Sequence, residues 1–226
     1  DIDVIAVFGG DGTILSVIDL AIEYDVPIFA VNEGTLGFLS SIESDELSNA
    51  INIIKNDANI QKRSVIKAVT KDKAYYALNE VIVQRTMASN FICGITRLNL
   101  NVNGQFVDNY SVDGLIISTP TGSTAYSLSA GGSILTPDVP ALIATPICPH
   151  SLHNRPLVYP DTYSATIKVL DKSAKVGLFV DGKYIKDLKT GDSVDVVKSK
   201  RYVKFYKSNE QFFEKLLKKL NKWSET

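Results

Sequence analysis

The sequence is short of the residues that staple or anchor a chain from outside its own core. Cys93 and Cys148 are the only cysteines in 226 residues. Their spacing fits neither a disulfide framework nor a metal knuckle, so free thiols in a reducing, cytoplasmic compartment are expected. Histidine is equally scarce, limited to His150 and His153. Their i, i+3 spacing would suit a metal pair on a helix, but Pro146 and Pro149 argue against a helix, and a structural role is expected. No apolar run is long enough to span a bilayer and no basic-then-apolar leader opens the sequence, so no membrane partner is expected. Neither sign of charge dominates: 24 Lys and Arg face 25 Asp and Glu, a formal net charge of −1. That balance argues against a nucleic-acid partner. Internal repeats and low-complexity segments are absent. What is there, 45% hydrophobic and 22% charged residues, is globular, with material for one large or two small domains.

The chain opens almost inside its first apolar run, Val4 to Val7, which leads us to expect an upstream portion. That run passes into Phe8-Gly9-Gly10-Asp11-Gly12-Thr13 and then into a helical-looking stretch through Ile22. A strand ending in glycines that opens a helix makes a turn whose backbone N–H groups can face an anion. Asp11 is the odd member, since phosphate repels a carboxylate. It either caps the helix or holds a metal or accepts a hydroxyl proton. Val26 to Val31 reads as a strand buried on both faces and ends in a second glycine loop, Asn32 to Leu39. Ser44-Asp45-Glu46-Leu47 reads as a cap opening a helix to about Lys55. Strands separated by helices imply a parallel sheet over residues 1–63, with both glycine loops at carboxyl ends of strands, where such sheets bind ligands.

From Ser64 to residue 200 the texture becomes β-rich, and a second domain is expected. Val65–Val69 and Ala74–Leu78 flank a turn at Lys71-Asp72-Lys73, and Asn103-Gly104 follows a run alternating with period two. Asp181-Gly182, between two strand-like runs, reads as a hairpin turn. The tail, 201–226, ends in a helix that places Phe212, Phe213, Leu216, Leu217, Leu220 and Trp223 at helical spacing. Those residues are expected to pack on the protein, leaving Lys215, Lys218, Lys219 and Lys222 solvated.

Two further stretches carry chemistry. Val112 to Gly132 is too rich in hydroxyls and glycine for a plain core element. Ser123, Thr124, Ser127 and Ser129 can donate and accept, Gly122, Gly131 and Gly132 admit close approach, and Tyr126 offers a face for a base. Such a set suits a nucleotide. Asn79-Glu80 interrupts an apolar strand and needs a partner if buried; it suits ribose hydroxyls or a base edge, or else a satisfied structural pair.

On these residues the chain resembles the NAD kinase family, ATP- or polyphosphate-dependent enzymes that make NADP from NAD. The likeness runs from Gly9-Gly10-Asp11-Gly12-Thr13 through Asn32–Leu39, Asn79-Glu80, Asp113-Gly114 and Ser118–Gly132. It continues through Thr145–Leu152 with Arg155-Pro156-Leu157 to Asp181-Gly182. The first motif is shared with lipid and sugar kinases; the long hydroxyl-rich segment is specific. The resemblance implies an α/β plus all-β protein: a Rossmann-like N-terminal domain, shortened here, a β-rich sandwich-like second domain, a C-terminal helix, and the NAD site between the domains. It implies Asp11 as the proton acceptor, with Gly9, Gly10, Gly12 and Thr13 at the ATP phosphates. It implies NAD contacts from Asp11, Gly12, Phe38, Asn79, Glu80, Asp113, Thr124, Ala125, Tyr126, Ser127, Leu128, Ser129 and Asp181. A magnesium or manganese ion, ATP as donor, and a homodimer or homotetramer complete the implication; the metal ligands stay unassigned. Ser133 stands where relatives often carry proline, and Asn90 and Ser111 where they often carry His or Arg. Two rival readings are a lipid or sugar kinase sharing only the first loop, and a non-catalytic NAD-binding regulator.

Overall fold

The computed structural model describes residues 2–33, 37–55, 60–86, 95–151, 154–170, 175–208 and 210–224, without the side chains of residues 45, 49 and 222–224. Expectations attached to residues 34–36, Asn90, Cys93, His153, Lys222 and Trp223 lie outside that description. The first elements are β1 (Ile5–Phe8), α1 (Asp11–Ser16), α2 (Ile18–Tyr24), β2 (Ile28–Asn32), β3 (Ile42–Glu43) and α3 (Ala50–Ile54). A run of strands follows: β4 (Ile60–Val69), β5 (Ala74–Ala77), β6 (Glu80–Arg85), β7 (Thr96–Val102), β8 (Gln105–Val112) and β9 (Gly114–Ser118). Then come α4 (Tyr126–Ser129), β10 (Ala141–Ile147), β11 (Leu157–Pro160), β12 (Ala165–Val169), β13 (Val176–Val180), β14 (Lys183–Leu188), β15 (Ser193–Tyr206) and α5 (Phe212–Ser224). The chain packs as two compact units, Asp1–Arg63 with Arg201–Thr226, and Ser64–Lys200.

The first unit is built on a parallel sheet. Every residue of β2 is buried, as an apolar strand with neighbours on both sides requires. β1 runs parallel to it, from Ile5 opposite Ile28 to Phe8 opposite Val31. β3 pairs it from Val31 opposite Ile42, and Phe205 of β15 lies opposite Ile28. Phe29, Val31, Ile42, Ala50 and Tyr206 form one core cluster, with the Phe29 and Tyr206 rings edge-to-face at 5.6 Å.

Two expectations are corrected in this unit. The helix from Ser44 is instead a 3₁₀ turn, Ser44–Asn49, leading into the short α3, and its cap is Glu43. The Glu43 carboxylate accepts the Glu46 N–H while the Glu46 carboxylate accepts the Glu43 N–H at 3.2 Å, a reciprocal box that sets the entry one residue earlier. The second correction concerns α5. Phe213 and Leu217 are 68% and 61% exposed, whereas Lys215 is only 5% exposed. The inward lysine is held because its Nζ donates to the Ser40 carbonyl at 2.7 Å, satisfying a buried backbone acceptor that no leucine could serve.

The second unit is a β-sandwich. One sheet has the order β11-β10-β9-β6-β13-β14. Opposite it, β15, β12, β7 and β8 pair antiparallel in that order, and β4 pairs with β5 from Val69 opposite Ala74. Alternate residues of both layers, among them Val81, Leu98, Leu115, Leu142, Ile167 and Leu178, share one buried core. The Asn103-Gly104 turn has φ of 51° and 76°, the left-handed pair that a two-residue hairpin favours. No helix among the described residues is long and apolar enough to cross a membrane.

Candidate active site

In the first unit the carboxyl end of β1 turns into α1 through Gly9 and Gly10. Gly9 has φ 144°, and a Cβ there would lie 2.6 Å from Thr13 Oγ1, so glycine is required. Gly10 is the N-cap and no side chain caps the helix; Thr13 and Ile14 N–H groups both donate to the Gly10 carbonyl, at 3.0 and 3.2 Å. Asp11 is therefore the first helical residue rather than the cap. Its carboxylate reaches the second glycine loop, Oδ2 accepting the Phe38 N–H at 3.1 Å and Oδ1 the Leu39 N–H at 3.2 Å. Lys219 Nζ lies 3.4 Å from Oδ2. The two loops that the sequence set at strand ends are thus tied together by Asp11.

Gly37 makes that approach possible, because a Cβ there would sit 2.5 Å from Asp11 Oδ1. Asn32, 1% exposed, donates its amide to Glu43 Oε2 at 2.8 Å, which fixes the amide orientation. Its Oδ1 is buried with no partner among the described residues. The part played by Asn32, Glu43, Lys215 and Lys219 was not assigned from sequence. Only a helical wheel with Lys215 and Lys219 on the same face as Leu216 could have signalled the last two.

In the second unit Asp181 and Gly182 form the β13–β14 hairpin turn, both with positive φ. The Asp181 carboxylate accepts the Leu78, Asn79 and Glu80 N–H groups at 2.8, 2.8 and 3.1 Å. Burial pushes this carboxyl above its ordinary range, and the three N–H groups pull it back. Asp181 thereby fixes the backbone of Asn79-Glu80. Glu80 is 4% exposed and its Oε2 has no partner among the described residues. Burial, and then the charge of Asp181, push Glu80 up to about 8, so its carboxyl is protonated at neutral pH.

The 118–124 segment clasps the same stretch. Thr119 donates its hydroxyl to the Leu78 carbonyl at 2.6 Å and accepts the Gly122 N–H at 3.0 Å. Gly122 has no room for a side chain: a Cβ would lie 2.2 Å from the Asn79 carbonyl oxygen. The hydroxyls of Ser123 and Ser127, read from sequence as candidates to face a ligand, have partners within the protein. Ser123 Oγ donates to the Pro120 carbonyl at 2.7 Å and accepts the Leu135 N–H at 3.0 Å. Ser127 Oγ pairs with Thr145 Oγ1 at 2.9 Å. Both side chains are fully buried, where a hydroxyl without an internal partner would be costly.

Thr124 is buried as well, its hydroxyl 3.3 Å from the Thr121 carbonyl. Tyr126 and Ser129 are exposed, with Ala125 and Leu128 half-buried. Burial raises the Tyr126 hydroxyl, and negative charge on Cys148, Asp113 and Glu80 adds to that. Asp113 pairs with Arg85 at 2.9 Å. Cys148 is a free thiol, exposed. Phe38 lies half-buried in the first unit, its ring 6.2 Å from that of Phe212.

Two family models match this chain: ATP-NAD kinase N-terminal domain over residues 1–58 and ATP-NAD kinase C-terminal domain over 78–208. The NAD kinase of Sulfurimonas denitrificans is 37% identical over 228 residues, covering 99% of this chain and 78% of that relative. The NAD kinase of Thermococcus sibiricus is 40% identical over 224 residues, covering 98% and 79%. Among solved structures, yeast NADH kinase complexed with NADH superposes with a TM-score of 0.87 at 32% identity, covering 100% of this chain and 67% of that one. An Archaeoglobus fulgidus NAD kinase in complex with ATP gives 0.81 at 26% identity, covering 97% and 83%.

Proposed function

The chain belongs to the NAD kinase family, and from that premise we propose which of its residues carry the transfer of a phosphoryl group from ATP to NAD. The match across 78–208, beyond the shared Gly-Gly-Asp loop, sets aside the lipid or sugar kinase. Asp11 is assigned to the 2′-hydroxyl of the adenosine ribose of NAD. The observation that carries this is the holding of its carboxylate by Phe38 and Leu39 N–H groups, a fixed acceptor at the end of a glycine turn. Asp11 orients the hydroxyl and takes its proton as the new O–P bond forms and the bond to the ADP oxygen breaks. A carboxylate is a weak base, but a loose phosphoryl-transfer transition state asks little of one, so most of the effect is positioning.

Gly9, Gly10, Gly12 and Thr13 are assigned to the ATP phosphates. Asn79, Glu80, Asp113 and the run Thr124 to Ser129 are assigned to NAD, as is Phe38. Ser127 is retained through its backbone, and Asp181 through its grip on Asn79-Glu80. Magnesium or manganese fits as an ion borne by the ATP phosphates, which needs few protein oxygens. The described residues hold no cluster of three acidic, His or Cys residues, whereas the unpartnered Asn32 Oδ1 is an oxygen available to hold such an ion. When bound it neutralises phosphate charge. A cytoplasmic setting and a homodimer or homotetramer are part of the same proposal, the latter read directly by light scattering.

Incubation with NAD and magnesium, with ATP and polyphosphate in parallel arms, should yield NADP from ATP. Asp11→Asn should lower turnover by at least about 100-fold while NAD binding persists, the behaviour of a group acting in the transition state. Near-normal turnover refutes the assignment, and no NADP from a folded, NAD-binding sample favours the regulator.

A further inference from the structure

We infer that Lys219 is the positioning residue of Asp11, holding Oδ2 by charge so that Oδ1 is the atom that meets the acceptor hydroxyl. The inference rests on the assignment of Asp11 to that hydroxyl.

The two carboxylate oxygens are not equivalent. Oδ2 takes the Phe38 N–H at 3.1 Å and lies 3.4 Å from Lys219 Nζ, whereas Oδ1 takes only the Leu39 N–H at 3.2 Å. A carboxylate offers about four lone-pair directions, two on each oxygen, so Oδ2 is filled and Oδ1 keeps one. Gly37 leaves space beside the same oxygen, since the Cβ it lacks would have been 2.5 Å from Oδ1.

Lys219 is itself constrained. Its Nζ lies 4.4 Å from the centre of the Phe38 ring, a cation–π distance, and that ring is supported by Phe212 of the same helix. One turn earlier Lys215 donates to the Ser40 carbonyl at 2.7 Å. α5 therefore grips 38–40 at both ends and brings a cation to Asp11. That cation also answers the objection to a carboxylate in a phosphate turn. Paired with an ammonium, Asp11 presents less negative charge to an approaching triphosphate.

The test is steady-state kinetics with NAD and magnesium ATP on Lys219→Gln and Lys219→Arg, alone and with Asp11→Asn. Lys219→Gln is expected to lower kcat roughly 10- to 100-fold, the scale of a misplaced reacting group, with both KM values nearly unchanged. Lys219→Arg is expected to keep about a third or more of kcat, since a cation remains to hold the carboxylate. In the Asp11→Asn background Lys219→Gln should have no further effect, because the two act as a unit. Thermal unfolding of each variant establishes that it is folded, and the Arg variant carries the comparison where the Gln variant is not.

A kcat for Lys219→Gln near the wild-type value overturns the proposal, as does a folded Arg variant no faster than the Gln one. A rise in KM for ATP at constant kcat also overturns it and gives Lys219 to the donor. So do effects that multiply in the double variant. Normal turnover of Asp11→Asn defeats the Asp11 assignment itself, whereas an inactive Asp11→Asn beside a normal Lys219→Gln defeats only the role of Lys219.

Discussion

Glu80→Gln isolates the energetics of the buried carboxyl in the second unit. Glu80 is 4% exposed, and burial raises it from an ordinary 4.5 to about 8. A group raised in the folded state contributes stability that is fully present below the unfolded value and is lost as pH climbs through the folded one. The window is therefore pH 4.5 to 8, and stability falls across it. Each tenfold change in proton affinity is worth about 1.4 kcal/mol. The loss is then roughly 3 kcal/mol by pH 7 and roughly 5 kcal/mol above pH 8, relative to a side chain that does not titrate.

Glutamine keeps the volume and removes the titration. At pH 4 both side chains are neutral and the two proteins should be close. At pH 7 the Gln variant should have gained roughly 6–12 °C on the wild type, at about 2–4 °C per kcal/mol for a chain of this size. Thermal unfolding at half-unit steps from pH 4 to 9, without NAD, reads this directly. Saturating NAD should narrow the difference, because hydroxyls donated to Glu80 favour its ionised form. A difference between the two melting temperatures that is flat from pH 4 to 9 refutes the reasoning: Glu80 would then be ionised and satisfied in the folded protein.

Two further substitutions test the packing around each set of residues. Gly122→Ala places a Cβ 2.2 Å from the Asn79 carbonyl oxygen and 2.6 Å from its Cα; backbone cannot yield as a side chain does, so a loss of about 3 kcal/mol is expected in denaturant unfolding, together with weaker NAD binding by calorimetry. In Lys215→Met the probe is a lysine that burial lowers from 10.5 to about 8. The unfolded chain holds the extra proton between those values, so the wild type should gain about 3 kcal/mol on the Met variant from pH 8 to 10, and parallel unfolding profiles refute this.

What was legible in the sequence is what local chemistry determines. Asn103-Gly104 and Asp181-Gly182 announce two-residue hairpins because few residues adopt left-handed φ, and both pairs do so. The uninterrupted apolar run of β2 announces a strand covered on both faces. The direction of a hydroxyl is a different kind of fact. Ser123 and Ser127 sit in a segment whose composition suits a ligand, yet their partners are the Leu135 backbone and Thr145. Those residues lie 12 and 18 positions away in sequence, and nothing in the segment itself tells a hydroxyl that binds a ligand from one that holds the loop. Glu43 illustrates the same limit at short range. It caps a 3₁₀ turn through Glu46 and orients Asn32 through the other strand, and only the second contact depends on tertiary structure.

The helix α5 shows where a strong periodic signal misleads. Hydrophobic spacing places Phe213, Leu217 and Leu220 on one stripe, and the transfer free energy of apolar side chains makes that stripe the obvious buried face. The preference fails because the surface α5 covers is an irregular loop, with a buried carbonyl at Ser40 and a carboxylate at Asp11. Leaving the buried Ser40 carbonyl unpaired costs on the order of 1–3 kcal/mol, as much as an apolar side chain gains, and the half-buried Asp11 carboxylate adds an ion pair to that. Two lysines that satisfy both, with methylenes to pack and Phe212 to bridge to Phe38, outweigh the apolar stripe. A helix that turns its cations inward is therefore diagnostic of acceptors beneath it. Here the acceptors are Asp11 itself and Ser40 of the loop that holds it, so the inverted helix and the proposed catalytic carboxylate are one structural fact.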